Sequence, residues 1–301
     1  MPVIDVQHLS KHYRGQPAVD DLSFSVERGE IFGILGPNGA GKTTTVEIIG
    51  GLRTADAGSV SVLGLDPRRD GDELHQRVGA QLQEAQLPDK LKVWEALDLY
   101  SSFYPQPADW EELLEELGLA DKRTTAYNKL SGGQKQRLSI ALALVGNPEI
   151  AILDELTTGL DPHARREVWQ LVERVRDRGV TILLVTHFME EAERLCDRLA
   201  LIDRGRLVAI DTPAGLVTRV AAGQRIRFRP SEPLPSGLLD GLPEVSGVST
   251  SGRQVVVAGT GDLLQAVTAV LARHHIAAAE LRMEQASLDD AFVALTDHTL
   301  E

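Results

Sequence analysis

A glycine-rich segment near the N-terminus has the composition and spacing of a phosphate-binding loop. Its residues are Gly36, Pro37, Asn38, Gly39, Ala40, Gly41, Lys42 and Thr43, and Thr44 follows as a further candidate. The first eight match Gly-x-x-x-x-Gly-Lys-Ser/Thr, a pattern whose backbone N–H groups turn toward phosphate oxygens. Lys42 is expected to reach the β- and γ-phosphates, and the Thr43 hydroxyl to ligate Mg²⁺. An apolar strand pattern precedes the loop and a helical pattern follows it, which is the context that the motif requires.

Two carboxylates end another apolar run. Residues 150–153 are apolar, and Asp154 and Glu155 follow directly. A buried strand that ends in acids needs a partner for them, and a magnesium–phosphate group supplies one. Asp154 is placed to hold the metal, and Glu155 to polarise the attacking water as general base. An acidic pair after a strand usually marks a solvated turn, so this pair is informative only because the loop at Gly36 is also present.

A third segment combines a serine with two glycines and a glutamine. Its residues are Ser131, Gly132, Gly133 and Gln134, and they begin a helical pattern that extends to Val145. A serine hydroxyl and glycine amides at a helix N-terminus form an anion site. An ordinary N-cap would explain Ser131 alone. It would not explain the two glycines and the glutamine.

Together, these segments resemble the ATP-binding subunits of ABC transporters, and the resemblance extends over roughly residues 3–212. It implies ATP and Mg²⁺ as cofactors, and ATP hydrolysis coupled to transport as the activity. It also implies two partners. One is a transmembrane permease subunit on a separate polypeptide, and the other is a second ATP-binding subunit, so a homodimer is expected.

The same resemblance implies roles for individual residues. Tyr13 matches the position where the family stacks an aromatic ring on adenine, and Gln83 matches a glutamine that senses Mg²⁺ and water and touches the membrane partner. Residues 131–134 match the signature that closes on the ATP of the opposite subunit. Asp161 lies in a loop that links the two sites, and His187 matches a histidine that contacts the γ-phosphate. The implied catalytic residues are Glu155, His187 and Gln83, and the implied metal ligands are Thr43, Gln83 and Asp154.

Simpler interpretations compete for some of these residues. Gln81 is a nearby alternative to Gln83. A tyrosine such as Tyr13 more often belongs to a core or a plain surface, and a histidine such as His187 is more often structural. Their positions relative to the three segments favour the functional interpretation.

One position departs from the family pattern. The family usually has proline directly after the catalytic glutamate, and this chain has Leu156. Proline would fix φ at that point, so we expect a looser loop between Leu156 and Asp161.

Strand and helix patterns alternate along the chain, which predicts an α/β fold. The predicted architecture is a P-loop NTPase core with an ABC β-subdomain and a helical subdomain, followed by a small C-terminal α+β domain of ferredoxin-like type. The ATP-binding domain covers residues 1–212, with the helical subdomain at about 84–145. Residues 213–223 are predicted to form a linker, and residues 224–301 an accessory or regulatory domain. The C-terminal order βαββαβ, with a short helix over Ser236–Leu242, is the basis for the ferredoxin-like assignment.

Composition narrows the partners and the location. The formal charge of −13, from 44 acidic and 31 basic residues, repels phosphate backbones and argues against a nucleic acid partner. The single cysteine, Cys196, cannot form an intrachain disulfide and fits a reducing compartment. No apolar run approaches the ~18 residues of a membrane-spanning helix, and the N-terminus lacks the pattern of a secretion signal. We therefore expect a peripheral location at the cytoplasmic face of the cell membrane, through the permease.

Two classes of function remain, a transport motor and a soluble ABC ATPase that acts on DNA or ribosomes. The second class usually carries long coiled-coil insertions or two ATPase units in one chain, and neither pattern is present, so transport is favoured. Residues 186–198 and 287–296 resemble the drug and antibiotic export branch typified by daunorubicin-resistance ATPases. Lipid or polysaccharide export and import remain alternatives, because the transported molecule contacts the membrane subunit.

Overall fold

The computed structural model describes residues 2–82, 87–220, 224–235, 237–284 and 287–297. The chain divides into two compact units, Met1–Pro213 and Ala214–Glu301. Strands of the first unit are β1 (Ile4–Tyr13), β2 (Gln16–Val26), β3 (Ile31–Leu35), β4 (Ala57–Val62), β5 (Val78–Gln81), β6 (Ile150–Asp154), β7 (Thr181–Thr186), β8 (Arg198–Asp203) and β9 (Arg206–Asp211). Its helices are α1 (Lys42–Ile49), α2 (Gly71–Arg77), α3 (Val93–Ser101), α4 (Trp110–Glu116), α5 (Gly132–Leu144), α6 (Pro162–Asp177) and α7 (Met189–Leu195), and α8 (Pro213–Val220) spans the boundary between the units.

Strands β2, β1 and β4 form an antiparallel sheet in that order. Apolar side chains such as Ile4, Leu22 and Phe24 face the core, and the positions between them are more exposed, which is the period-2 pattern of a half-buried strand. The Phe24 ring stacks on Phe32 of β3 with a centroid distance of 5.4 Å. This contact fixes the small sheet, with Tyr13 at the end of β1, against the main sheet.

The main sheet has the strand order β5-β6-β7-β3-β8-β9, and its strands are parallel except for β9. Strands β3, β6 and β7 are buried along their whole length. Their continuous apolar runs are typical of parallel strands that are covered on both faces. Because β6, β7 and β3 are neighbours and parallel, the residues that follow them meet at one edge of the sheet.

Helices α3, α4 and α5 form the predicted helical segment. The three helices contact one another, and apolar side chains on them such as Leu97, Leu113 and Leu138 are buried. The chain between α3 and α4 is not helical, and Pro105 and Pro107, which lie there, lack the backbone N–H group that a helix interior needs. Within the part of the chain that the structure describes, no helix has both the length and the apolar composition needed to cross a membrane.

The second unit contains an antiparallel sheet with the order β11-β12-β10-β13. Its elements are β10 (Gln224–Pro230), β11 (Val245–Ser251), β12 (Gln254–Gly259), α9 (Leu263–Arg273), β13 (Ala278–Glu284) and α10 (Leu288–Asp297). Phe228 and Val257 of the sheet and Val267 of α9 are fully buried in a core of their own. The unit therefore has its own hydrophobic core.

Two segments differ from the sequence-based expectation. Residues 237–241 form turns where a helix over Ser236–Leu242 was predicted, because Pro235 precedes them and Gly237 has a φ of +77°. The segment predicted as a linker, residues 213–223, begins with helix α8, whose Leu216 is fully buried. The assignment of the second unit to the ferredoxin-like type stays a prediction.

Candidate functional site

The loop between β3 and α1 is built around two glycines that no other residue can replace. Gly41 has a φ of +96°, and a Cβ atom there would lie 2.1 Å from the carbonyl oxygen of Ala18. A Cβ atom at Gly36 would lie 2.2 Å from the carbonyl oxygen of Ile202. The loop therefore packs closely between β2 and β8. The spacing of its glycines follows from this close approach of the loop backbone to the two strands.

Lys42, the first residue of α1, is buried over this loop. Its Nζ donates to the carbonyl oxygens of Gly36 at 2.9 Å and Pro37 at 3.0 Å. Burial lowers the pKa of Lys42, and the negative charges of Glu155 and Asp154 act in the opposite direction. The ammonium group is thus held at the loop and faces the two carboxylates.

Asp154 ends β6 and is 1% exposed. Its Oδ2 lies 3.4 Å from the Thr43 hydroxyl, which donates to it. Its Oδ1 has no hydrogen-bond partner among the described atoms. Burial raises the pKa of Asp154 to about 6, Glu155 adds to the increase, and Lys42 and Thr43 offset part of it. An unpaired buried oxygen next to a hydroxyl is the arrangement that a cation would complete.

Mg²⁺ fits this donor set. It prefers oxygen ligands, and protein sites commonly supply only one or two carboxylates and leave the remaining positions to phosphate oxygens and water. Among the described residues, no cluster of three or more His, Cys, Asp or Glu side chains is suited to hold a metal alone. The Asp154 carboxylate and the Thr43 hydroxyl would therefore hold Mg²⁺ together with a nucleotide.

The backbone conformation of Glu155 and two neighbouring side chains orient its carboxylate. It has a φ of +51°, which is uncommon for a residue with a side chain, and its N–H donates to the Val185 carbonyl at 2.9 Å. Its Oε1 lies 3.2 Å from Nδ1 of His187, and its Oε2 accepts from the Thr158 hydroxyl at 3.4 Å. The structure thus joins the ends of β6 and β7 through one carboxylate.

A cavity of about 360 Å³ lies over the loop, within the size range of small-molecule sites. It is lined by Tyr13, Ala18, Asn38, Gly39, Gly41, Lys42, Thr43, Thr44 and Glu155. Tyr13 is 39% exposed, and the guanidinium of Arg53 and the ammonium of Lys11 lie 5.4 and 5.8 Å from its ring centre. Arg53 was not found by sequence reasoning, because no spacing pattern connects the end of α1 to the end of β1.

The segment Ser131–Gln134 forms the start of α5 and does not line this cavity. The Ser131 hydroxyl accepts from the Gln134 N–H at 3.3 Å, and the Gln134 side chain accepts from the Ser131 N–H at 2.9 Å. This reciprocal pair is a capping box. Gly133 faces the start of α6, since a Cβ atom there would lie 3.3 Å from that of Ala164, and Gly132 faces Leu160.

The loop of residues 156–161, called the inter-site loop below, connects β6 to α6. Asp161 caps α6 by accepting from the N–H groups of His163 at 2.9 Å and Ala164 at 3.0 Å. These bonds lower the pKa of Asp161. Leu156, in the position where proline was expected, is fully buried.

Of the two candidate glutamines, the structure describes Gln81 only. Gln83 lies outside the described residues. Gln81 ends β5, is buried, and donates to the Leu82 carbonyl at 3.2 Å. The functional roles given to the site residues in the sequence analysis stay predictions.

Comparisons with known proteins identify the family of this chain. The family model described as ABC transporter matches residues 19–158. A Nod factor export ATP-binding protein I of Rhizobium etli is 36% identical over 306 residues, covering 100% of this chain and 95% of the relative. A Nod factor export ATP-binding protein I of Ralstonia nicotianae is 42% identical over 222 residues, covering 72% of this chain and 69% of the relative.

Two solved structures are similar to part of this chain. The ADP conformation of MJ1267, an ATP-binding cassette of an ABC transporter, has a TM-score of 0.65 at 26% identity and covers 73% of this chain and 94% of its own. The dimeric post-hydrolysis state of the ATP-binding cassette MJ0796, bound to ADP and phosphate, has a TM-score of 0.63 at 27% identity and covers 69% and 98%.

Fold and site define a P-loop ATPase, in which a glycine-rich loop, a lysine and a threonine line one cavity, and the threonine donates to a buried aspartate. The chain belongs to the ABC transporter family, as an ATP-binding subunit. It binds ATP with Mg²⁺ and hydrolyses the nucleotide to drive transport.

We predict that Glu155→Gln retains ATP binding and loses hydrolysis by ~100-fold or more, because an amide cannot accept the proton of the attacking water. Steady-state ATPase rates and nucleotide titrations would measure the two effects. Glu115→Gln, an exposed position on α4, serves as the control. Turnover near the wild-type rate in Glu155→Gln would show that another group is the base.

We also predict that Asp154→Asn stabilises the protein in the absence of nucleotide and Mg²⁺. At pH above 6 the wild-type carboxylate is charged and desolvated, so its removal should raise the free energy of unfolding by about 1–3 kcal/mol. The advantage should shrink as the pH falls from 6 toward 4, because Asp154 then becomes protonated in the native state. Thermal unfolding of the variant and the wild type across this pH range measures the difference in stability.

The Asp154→Asn variant should also lose most of the stabilisation that Mg²⁺ with ATP gives to the wild type. Asp240→Asn, at an exposed position, is the matched control. A pH-independent difference between Asp154→Asn and wild type would contradict the proposed cost of the buried charge.

Proposed function

We propose that this chain powers the export of a drug, an antibiotic or another amphipathic or hydrophobic molecule through a separate transmembrane permease subunit. The observation that carries this proposal is the match of the whole chain, including the second unit, to a Nod factor export ATP-binding protein. The resemblance of residues 186–198 and 287–296 to drug-export ATPases supports the same direction of transport. Attachment at the cytoplasmic face of the membrane through the permease follows from this proposal.

The proposed active form is a homodimer with two shared sites. Ser131 and Gly132 are exposed and lie outside the lining of their own cavity. A helix N-terminus with a serine and two glycines is suited to bind an anion, so it is free to close on nucleotide held by a second chain. The dimeric state of the related cassette MJ0796 supports this arrangement. In such a dimer Asp161 would lie between the two sites.

In the proposed cycle each residue has one task. Backbone N–H groups of the loop bind the phosphates, Lys42 pairs with the transferred phosphate, and Thr43 and Asp154 hold Mg²⁺. The metal, when bound, neutralises charge that develops on the phosphate oxygens. Glu155 accepts the proton of the attacking water, and His187 keeps the carboxylate in place through the contact at 3.2 Å. Tyr13 offers its exposed ring to the adenine.

The second unit and Gln83 are assigned to communication with partners. The described residues of the unit include a hydrophobic core of their own. We propose that it acts as an accessory or regulatory domain, and that Gln83 contacts the permease.

We expect export to be measurable in inside-out membrane vesicles that contain this chain and a permease encoded beside it. ATP should drive accumulation of a labelled lipo-oligosaccharide or an anthracycline in the vesicle lumen, since uptake into inside-out vesicles corresponds to export. Vesicles with Lys42→Ala should show none. Loss of a preloaded substrate from the vesicles on addition of ATP would identify an importer instead.

Shared sites can be tested with two inactive variants, Lys42→Ala and Ser131→Arg. A dimer of one chain of each carries both lesions in one site and leaves the other site intact, so it should regain activity up to about half, if the sites act independently. A chain with both changes, paired with wild type, damages both sites and should stay inactive. Coupling between sites changes the sizes of the effects, so the contrast between the mixtures is the measurement. Equal activity in both, with mixed dimers verified by mass, would overturn the shared-site proposal.

A further inference from the structure

The ring of Tyr13 lines the cavity over the phosphate-binding loop and lies close to the cations of Arg53 and Lys11. The Arg53 guanidinium is 5.4 Å from the ring centre, and the Lys11 ammonium is 5.8 Å from it. Both distances are within the ~6 Å over which a cation is attracted to an aromatic face. Lys11 belongs to β1, as Tyr13 does. Arg53 belongs to residues 50–56, which connect α1 to β4 and are called the α1–β4 segment below.

The α1–β4 segment is bonded to the end of β1 through Asp56. The Asp56 carboxylate accepts from Nζ of Lys11 and from the His12 N–H, both at 2.7 Å. The Asp56 N–H donates to the Ser10 carbonyl at 2.9 Å. These hydrogen bonds fix the strand residues directly before Tyr13 to the segment that carries the guanidinium.

Arg53 is also fixed to the helix that carries the phosphate-binding residues. Its Nε donates to Oε2 of Glu47 at 2.6 Å, and its N–H donates to the Glu47 carbonyl at 3.1 Å. Glu47 lies on α1, which begins with Lys42. The side chains of Arg53 and Glu47 are 39% and 24% exposed, and an exposed ion pair of this kind contributes little to stability. The consequence of the pair therefore lies in where it holds the guanidinium.

An exposed aromatic ring binds a flat ligand better when the ring is ordered beforehand. Tyr13 is 39% exposed, and it directly precedes the turn at Arg14 and Gly15 that leads into β2. Stacking of a base on a freely rotating side chain costs the conformational entropy of that side chain. A cation over the ring reduces this cost, because it restricts the ring before the base binds.

We propose that Arg53 is a positioning residue that, through the ring of Tyr13, sets the affinity of the site for the base of the nucleotide. Arg53 lines another cavity, of about 330 Å³, whereas Tyr13 lines the cavity over the phosphate-binding loop, so Arg53 acts through the ring. The inference rests on the proposed stacking of adenine on Tyr13. It requires an effect on ligands that carry a base, and none on a bare phosphate chain or on the chemical step.

The test uses two ligands that differ only in the adenosine group, ADP and pyrophosphate, each with Mg²⁺. Their Kd values, measured by titration calorimetry, are independent of ATP turnover. The variants of the full-length protein are Arg53→Gln, Arg53→Lys and Tyr13→Leu. Arg68→Gln, at an exposed position, is the matched control. The kcat and KM for ATP and the unfolding temperature are measured on the same proteins.

We expect Arg53→Gln to raise the Kd for ADP and the KM for ATP about fivefold. The Kd for pyrophosphate and kcat should stay within about twofold of wild type. Arg53→Lys keeps a cation near the ring and should raise the Kd for ADP by less than about twofold, and Arg68→Gln should change none of these quantities. Tyr13→Leu should raise the Kd for ADP about tenfold. Adding Arg53→Gln to Tyr13→Leu should have no further effect, because Arg53 acts on the base only through the ring.

An equal increase in the Kd values for ADP and pyrophosphate in Arg53→Gln would overturn the proposal, because it would show an effect on the phosphate site through Glu47 and α1. A further loss of ADP affinity when Arg53→Gln is added to Tyr13→Leu would also contradict it. Wild-type ADP affinity in Tyr13→Leu would exclude the stacking role of Tyr13 on which the inference rests. A loss in Tyr13→Leu without one in Arg53→Gln would leave that role intact and exclude the inference alone.

Discussion

The site depends on one physical constraint, which is that charged side chains at the edge of the main sheet are buried away from water. Lys42 and Asp154 are almost completely buried, at 5% and 1% exposure, and a buried charge is costly unless it is paired. Their mutual attraction reduces this cost, but one oxygen of Asp154 remains without a hydrogen-bond partner among the described atoms. In the proposed site, magnesium-bound ATP would supply the missing partner. Nucleotide binding would then be linked to the stability of this edge.

The order of the strands places these charges together. Strands β6, β7 and β3 are adjacent and parallel, so Asp154, His187 and the phosphate-binding loop follow three neighbouring strand ends. Such an edge gathers residues that are far apart in the sequence onto a rigid base. The inter-site loop begins at the same edge and leads into α6.

The sequence was most informative where a function depends on contiguous residues. The close approach of Gly36 and Gly41 to neighbouring strands requires glycines at fixed spacing, and that spacing is visible in the chain. The positive φ of Glu155 and the contact between Arg53 and Tyr13 have no such signature, because they arise from tertiary packing.

The burial of Leu156 holds the start of the inter-site loop, where a proline in the family pattern would restrict φ instead. A looser inter-site loop was expected without proline after Glu155, because φ at that position is not fixed. Leu156 and Thr157 are both fully buried, and the Thr158 and Leu160 N–H groups donate to the carbonyls of Glu155 at 3.3 Å and Thr157 at 3.2 Å. The start of the loop is thus anchored by an apolar side chain and short-range hydrogen bonds. In this chain the path from Glu155 to Asp161 therefore depends on the packing of Leu156 and Thr157, and not on a fixed φ angle.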